Sequence, residues 1–167
     1  SVKVGLVVSV ISTVLGVMAA RAITRTRMRG KGALVTFIMM PLVIPGIIFG
    51  VALLVLLSRM GVPLSLYTVG LGHLIICLPF AVATLLPRFE GFDPSMEEAS
   101  ADLGENGWWT FWRVTFPMVL PGIVASLLLT FTILMIFPFL FFTLAYNVVQ
   151  EGRVLTILLR GTGKPPE

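Results

Sequence analysis

Charge is what this sequence has least of. Only 12% of its 167 residues are Asp, Glu, Lys or Arg, about half the share carried by an ordinary soluble domain. Hydrophobic residues make up 57%, and a soluble core of this size would still need a polar shell that these few charges cannot supply. There is one cysteine, Cys77, so no disulfide framework forms within the chain. Cys77 lies in an apolar run and reads as an inert buried thiol that says nothing about compartment. No glycine-rich phosphate loop ending in Lys-Ser or Lys-Thr occurs, so the chain has no ATP site of the usual kind. The first apolar stretch runs into arginines rather than a small-residue cleavage site, so it does not read as a cleaved signal. The net charge of +4 does not point to nucleic acid, because the basic residues form no amphipathic face with interleaved aromatics.

What is present is long apolar sequence. A bilayer core needs about 20 apolar residues per helix, since unpaired backbone groups cannot be left in hydrocarbon. Four stretches qualify, near 4–20, 33–57, 66–87 and 119–146, and the fold class they imply is all-α, a polytopic membrane helix bundle. Between the first two lie Arg21, Arg25, Arg27, Arg29 and Lys31 without an acidic residue. By the positive-inside rule that loop is cytoplasmic. Alternation then puts 58–65 outside, 88–116 inside, and both the N-terminus and everything after Tyr146 outside. Such ends suggest a portion of a longer protein with one membrane helix absent at each end; a complete four-helix protein is the alternative. Prolines and glycines punctuate the second stretch (Pro41, Pro45, Gly46, Gly50) and the third (Gly70, Gly72, Pro79), where they allow kinks and close helix approach, or simply packing.

The loop 88–116 is built differently. Six of the eight acidic residues fall in it: Glu90, Asp93, Glu97, Glu98, Asp102 and Glu105. Asp93-Pro94 reads as a helix start, with Asp capping free amides and Pro at the first helical position; Ser95 to Glu98 offers an alternative capping box. Gly104 reads as the left-handed residue that ends the helix. Met96, Ala99 or Ser100, and Leu103 recur at helical spacing, with Glu97, Glu98 and Asp102 on the other surfaces. A helix so short needs a partner surface, either its own bundle or another protein. A second helical stretch, Trp108 to Phe116, reads as closed by Pro117, its tryptophans suited to a membrane interface. The carboxylates near Glu98 are spread around the helix without His or Cys, so neither a metal nor an acid–base site is expected.

These residues carry a resemblance. Glu98-Ala99-Ser100, three residues, Gly104, nine residues, then Val114-Thr115-Phe116-Pro117 resembles the cytoplasmic EAA motif of permeases from binding-protein-dependent type I ABC importers, the MetI-like kind. That motif runs Glu-Ala-Ala, three residues, Gly, nine residues, Ile-x-Leu-Pro. Every interval matches; Ser100, Val114 and Phe116 depart conservatively. Pro41 to Gly46, His73 to Phe80 and Leu159 to Glu167 look like segments of the spermidine/putrescine group, so the likeness covers nearly the whole chain. That group usually carries an acidic pair early in the fourth stretch, where this chain has Phe131-Thr132-Ile133-Leu134-Met135-Ile136-Phe137. With no carboxylate in any membrane stretch, nothing obvious would neutralise a crossing polycation, so the substrate the resemblance implies is a polyamine or another small solute.

The resemblance implies a single permease domain over 1–167 in the bacterial inner membrane, paired with a second permease, the same or related. It implies docking on ABC ATPase subunits that bind the ATP, and an external binding protein that delivers substrate. It implies no cofactor and no catalysis in this chain. The ATPase-coupling residues it points to are Glu97, Glu98, Ala99, Ser100, Asp102, Leu103, Gly104 and Pro117. His73, the one ionisable side chain well inside a membrane stretch, is a candidate for the substrate path, against the plainer reading of a neutral His bonded to a neighbouring helix. A secondary transporter or channel, or a docking subunit without a transport path, are the other classes; the first would show buried charge pairs or inverted repeats.

Overall fold

The computed structural model describes residues 2–26, 29–63 and 65–136; the last part of the fourth apolar stretch and the region 147–167 lie outside them. Among the described residues the elements are helices, with no strand. They are α1 (Val2–Arg25), α2 (Lys31–Met39), α3 (Gly46–Arg59), α4 (Leu66–Glu90), α5 (Ser95–Asp102) and α6 (Gly107–Ile136). Helices α1, α4 and α6 are long and apolar enough to cross a membrane.

Their polarity is inside out. Ser9, Ser12, Thr13, Thr115, Ser126 and Thr130 are buried, while Leu6, Met18, Phe37, Tyr67 and Leu128 are exposed. In water that arrangement would waste the hydrophobic effect. In lipid there is no such force between helices, and close packing of small residues takes over. Helix α1 buries Gly5, Ser9, Ser12, Thr13, Gly16 and Ala20 in a stripe along one side, at the spacing that brings backbones together. The buried hydroxyls turn back on their own helices, Ser12 donating to Ser9 O (3.1 Å) and Thr130 to Ser126 O (2.8 Å). Thr13 Oγ1 and Ser126 Oγ, 3.4 Å apart, cross between helices and join α1 to α6. Toward the end of the bundle that carries α5, the packing becomes apolar, with Ala20, Leu85, Phe89 and Val119 forming its centre.

The second apolar stretch, expected as one helix over 33–57, is two. After α2 comes a tight turn over Met40–Leu42, and α3 starts afresh at Gly46 behind an extended Pro45 (φ −53°, ψ 129°). Pro45 has no N–H to continue the ladder, and it drives the preceding Ile44 away from helical geometry. Helix α4 opens with a reciprocal cap between Ser65 and Thr68.

The stretch Trp108 to Phe116, expected to be closed by Pro117, is not closed there. Helix α6 begins at Gly107 and continues through Pro117 to Ile136. A wide turn over Phe111–Thr115, in which Phe116 N–H reaches Phe111 O, precedes the proline. A proline ring normally collides with the carbonyl four residues back. Here that residue, Arg113, lies within the widened turn, which accommodates the ring.

Candidate functional site

The short helix α5 is held at both ends by the devices its sequence suggested. Asp93 Oδ1 accepts from Ser95 N–H (2.9 Å), and Pro94, expected at the first helical position, stands one residue earlier, at the N-cap, with helical φ −63° and ψ −20°. The alternative box from Ser95 to Glu98 does not form: Ser95 makes no side-chain cap. The Asp93 carboxyl is held below its usual pKa, first by the Ser95 amide, then by the Ser95 hydroxyl, with a smaller contribution from Arg25. At the far end Gly104 has φ 87°. Gly104 N–H bonds to Ala101 O (2.9 Å) and Glu105 N–H to Ser100 O (3.2 Å), a paired closure that only a left-handed residue allows. Asn106 then caps α6, its Oδ1 accepting from Trp108 and Trp109 N–H (3.1 and 3.0 Å).

The two sides of α5 have opposite roles. Glu97 and Ser100 turn inward. Glu97 Oε2 lies 2.9 Å from Arg25 Nε at the end of α1, with both side chains less than one-fifth exposed. The Arg25 Nε–H is not aimed along that contact, so the pair is held by charge proximity rather than by an aligned hydrogen bond. Glu97 Oε1 accepts from Thr115 Oγ1 in the wide turn of α6. Arg25 is steadied by Phe92, donating to its carbonyl (3.4 Å) and lying 5.1 Å over its ring. Ser100 Oγ and Thr110 Oγ1 are 3.1 Å apart. Outward are Glu98, Ala99, Asp102 and Gly104, all exposed, with Met96 at 44% and Leu103 at 87% exposure. The apolar stripe read from the sequence therefore faces away from the bundle, and a polar pair fastens the helix to it.

Of the residues singled out in the sequence, Glu98, Ala99, Asp102, Leu103 and Gly104 share this free surface. Glu97 and Ser100 are engaged inside the chain. Pro117 lies in α6 beyond the wide turn. His73 is elsewhere: its Nδ1 donates to Val69 O (2.8 Å), and it lines a cavity of about 280 Å³ with Phe49, Leu53, Thr68 and Ile76, between α3 and α4. At 1.5 Å per residue, it sits roughly 25 Å along α4 from the end that leads to α5. Among the described residues no group of three or more His, Cys, Asp or Glu could hold a metal. Sequence reasoning passed over Arg25 and Thr115 as functional residues. Arg25 was counted only as a topology charge; Thr115 stands inside the motif, at its variable position.

Residues 12–156 match the family described as "Binding-protein-dependent transport system inner membrane component". The chain belongs to this family. Among curated proteins it is 34% identical over 133 residues to the spermidine/putrescine transport system permease protein PotC of Haemophilus influenzae, covering 80% of this chain and 52% of that protein. It is 33% identical over 124 residues to PotC of Escherichia coli K12, covering 74% and 47%. A probable molybdenum ABC transporter permease protein of Haloferax volcanii is 35% identical over 131 residues, covering 74% and 49%. The chain spans about half the length of the curated relatives it matches. As an inner membrane component of this family, with three membrane-length apolar helices among its described residues, it is a membrane protein, and the elements among those residues are all helices, the class that the apolar stretches implied.

Proposed function

We propose that the chain is the translocation-path part of an ABC importer permease. In this reading α5 is the lever by which a separate ATPase drives it, and the ATP is bound by that partner. The observation that carries the reading is the free surface of α5. Met96 and Leu103 are exposed on a helix too short to stand alone, beside Glu98 and Asp102, while the opposite side is pinned to α1 and α6. Loop and α5 would lie in the cytoplasm, in keeping with the basic loop after α1. A second permease, the same or related, would complete the path, and an external binding protein would deliver the substrate. ATPase closure would swing the lever and switch the bundle between inward and outward openings.

The relatives differ in the substrates their names carry, spermidine/putrescine and molybdenum. None of the eight acidic residues lies within an apolar stretch, where a polycation would call for one. The proposal is therefore a permease for a small solute. The same lack of carboxylates disfavours proton coupling, which draws on buried acid relays.

The test is a pair of charge reversals, Glu98→Lys and Glu90→Lys, in the full-length permease co-expressed with its ATPase. Both glutamates are exposed in the chain, but only Glu98 lies on the α5 surface. Reversing a docked charge costs roughly 2–5 kcal/mol, and a rim charge far less. Loss of co-purifying ATPase for Glu98→Lys alone is the expected result. Equal retention in both variants would remove α5 as the coupling element.

A further inference from the structure

We infer that Glu97 is a positioning residue whose carboxylate clasps α1 and α6 together, so that displacement of α5 is delivered to both membrane helices. This rests on the lever reading above and adds the route by which the lever acts. The two neighbouring glutamates of α5 have separated tasks. Glu98 is exposed; Glu97 places one oxygen 2.9 Å from Arg25 Nε on α1 and the other on Thr115 Oγ1 of α6. A carboxylate is planar and rigid, so its two oxygens cannot move independently. Whatever shifts Glu97 shifts both partners.

Three features keep the clasp from slipping. The ion pair is largely shielded from water, where attraction is stronger than between exposed charges. Arg25 cannot swing away freely, because Phe92 holds its guanidinium by carbonyl and ring. Ser100 and Thr110, in contact on the same side of α5, supply a second fixed point that stops α5 from rolling about its axis. The α6 arm ends at Thr115, the last residue of the wide turn, and such turns are places where helical pairing can change register. Beyond the clasp, α1 and α6 meet again at Thr13 and Ser126.

The test is hydrogen exchange on the purified complex of full-length permease and ATPase, with and without MgATP and orthovanadate. In the wild type, nucleotide should alter exchange in α5, in the last turns of α1 and in the first turns of α6. Glu97→Ala should keep the ATPase bound and the change in α5, and lose the change in α1 and α6. The single-arm variants Arg25→Gln and Thr115→Val should lose it in α1 alone and in α6 alone. The exchanged pair Arg25→Glu with Glu97→Arg should restore the α1 response. A response in α1 and α6 that persists in Glu97→Ala overturns the clasp. So does loss of ATPase from Glu97→Ala as severe as from Glu98→Lys, since Glu97 would then be a docking residue, and so does a wild type without any response in α1 and α6. Failure of the wild type to retain ATPase overturns the lever reading itself, and the clasp with it.

Discussion

Gly16 of α1 faces Ala81 of α4 so closely that a Cβ at Gly16 would come within 2.9 Å of the Ala81 Cβ and 3.1 Å of Leu85 Cδ1. Ala81 and Leu85 are themselves fully buried. The nearest atom, the Ala81 Cβ, has no rotatable end that could give way, and the Leu85 side chain is confined by its burial. The contact is of the kind in which two membrane helices touch through small residues and gain dispersion over a long seam.

Gly16→Leu should therefore separate α1 from α4 and destabilise the bundle by about 1–3 kcal/mol. Thermal unfolding of the detergent-solubilised protein would report it as a lowered midpoint. Gly32→Leu is the control, since nothing lies within 4 Å of a Cβ there. Equal midpoints for the two variants would show that the seam contributes nothing.

Gly104→Val should leave membrane insertion intact and disrupt the lever. Open space surrounds Gly104, so sterics with neighbours are not the issue; its φ of 87° is. A left-handed conformation costs an ordinary residue about 1–2 kcal/mol, and β-branching adds to it. The expected outcome is a normal amount of protein in the membrane with the co-purifying ATPase sharply reduced. Full retention of ATPase would mean that the exit from α5 tolerates another geometry.

How much of this was legible beforehand depends on the range of the interaction. The cap at Asp93, the proline after it and the closure at Gly104 are local devices, set within a few residues, and the sequence displayed all three. Local chemistry also misled at Pro117, where the widened turn over Phe111–Thr115 carried the helix through a residue that ordinarily ends one. The break at Pro45 was visible as punctuation, but the length of the apolar run concealed that it divides the stretch. The pairing of Arg25 with Glu97 links residues 72 positions apart, 97 minus 25, and no local pattern encodes it. Which side of α5 would be free was likewise hidden, because an apolar stripe fits its own bundle as well as it fits another protein.

Acid should loosen the start of α5 through Asp93. Its folded pKa is lowered, so the folded chain binds its proton less readily than the unfolded chain. The contribution is fully present above the ordinary carboxylate pKa and is lost as pH falls through the lowered value. Asn caps a helix about as well as Asp and does not titrate there. Melting curves of the wild type and Asp93→Asn, taken from neutral pH downward, should show the wild type ahead at neutral pH and the gap closing in acid. A gap independent of pH would show that the Asp93 charge plays no part.

Single cysteines report the sidedness. With Cys77→Ala removing the buried native thiol, Leu103→Cys should react with a membrane-impermeant maleimide only from the cytoplasmic side. Met60→Cys, at a position 67% exposed in the turn after α3, should react only from outside. Reversed labelling at either position would invert the bundle and put α5 out of reach of a cytoplasmic ATPase.

The interruption at Met40–Pro45 has a consequence for where this part of the chain can be placed. A helix end leaves backbone amides and carbonyls without intrahelical partners, and here the end of α2 and the beginning of α3 fall inside one apolar run. Hydrocarbon offers such groups nothing, so a break at that depth is tolerated only against protein or against water. Acyl chains are thus ruled out as the sole neighbours of this bend. In a bilayer, the bend marks a side of the bundle that is either sealed by another polypeptide or wetted.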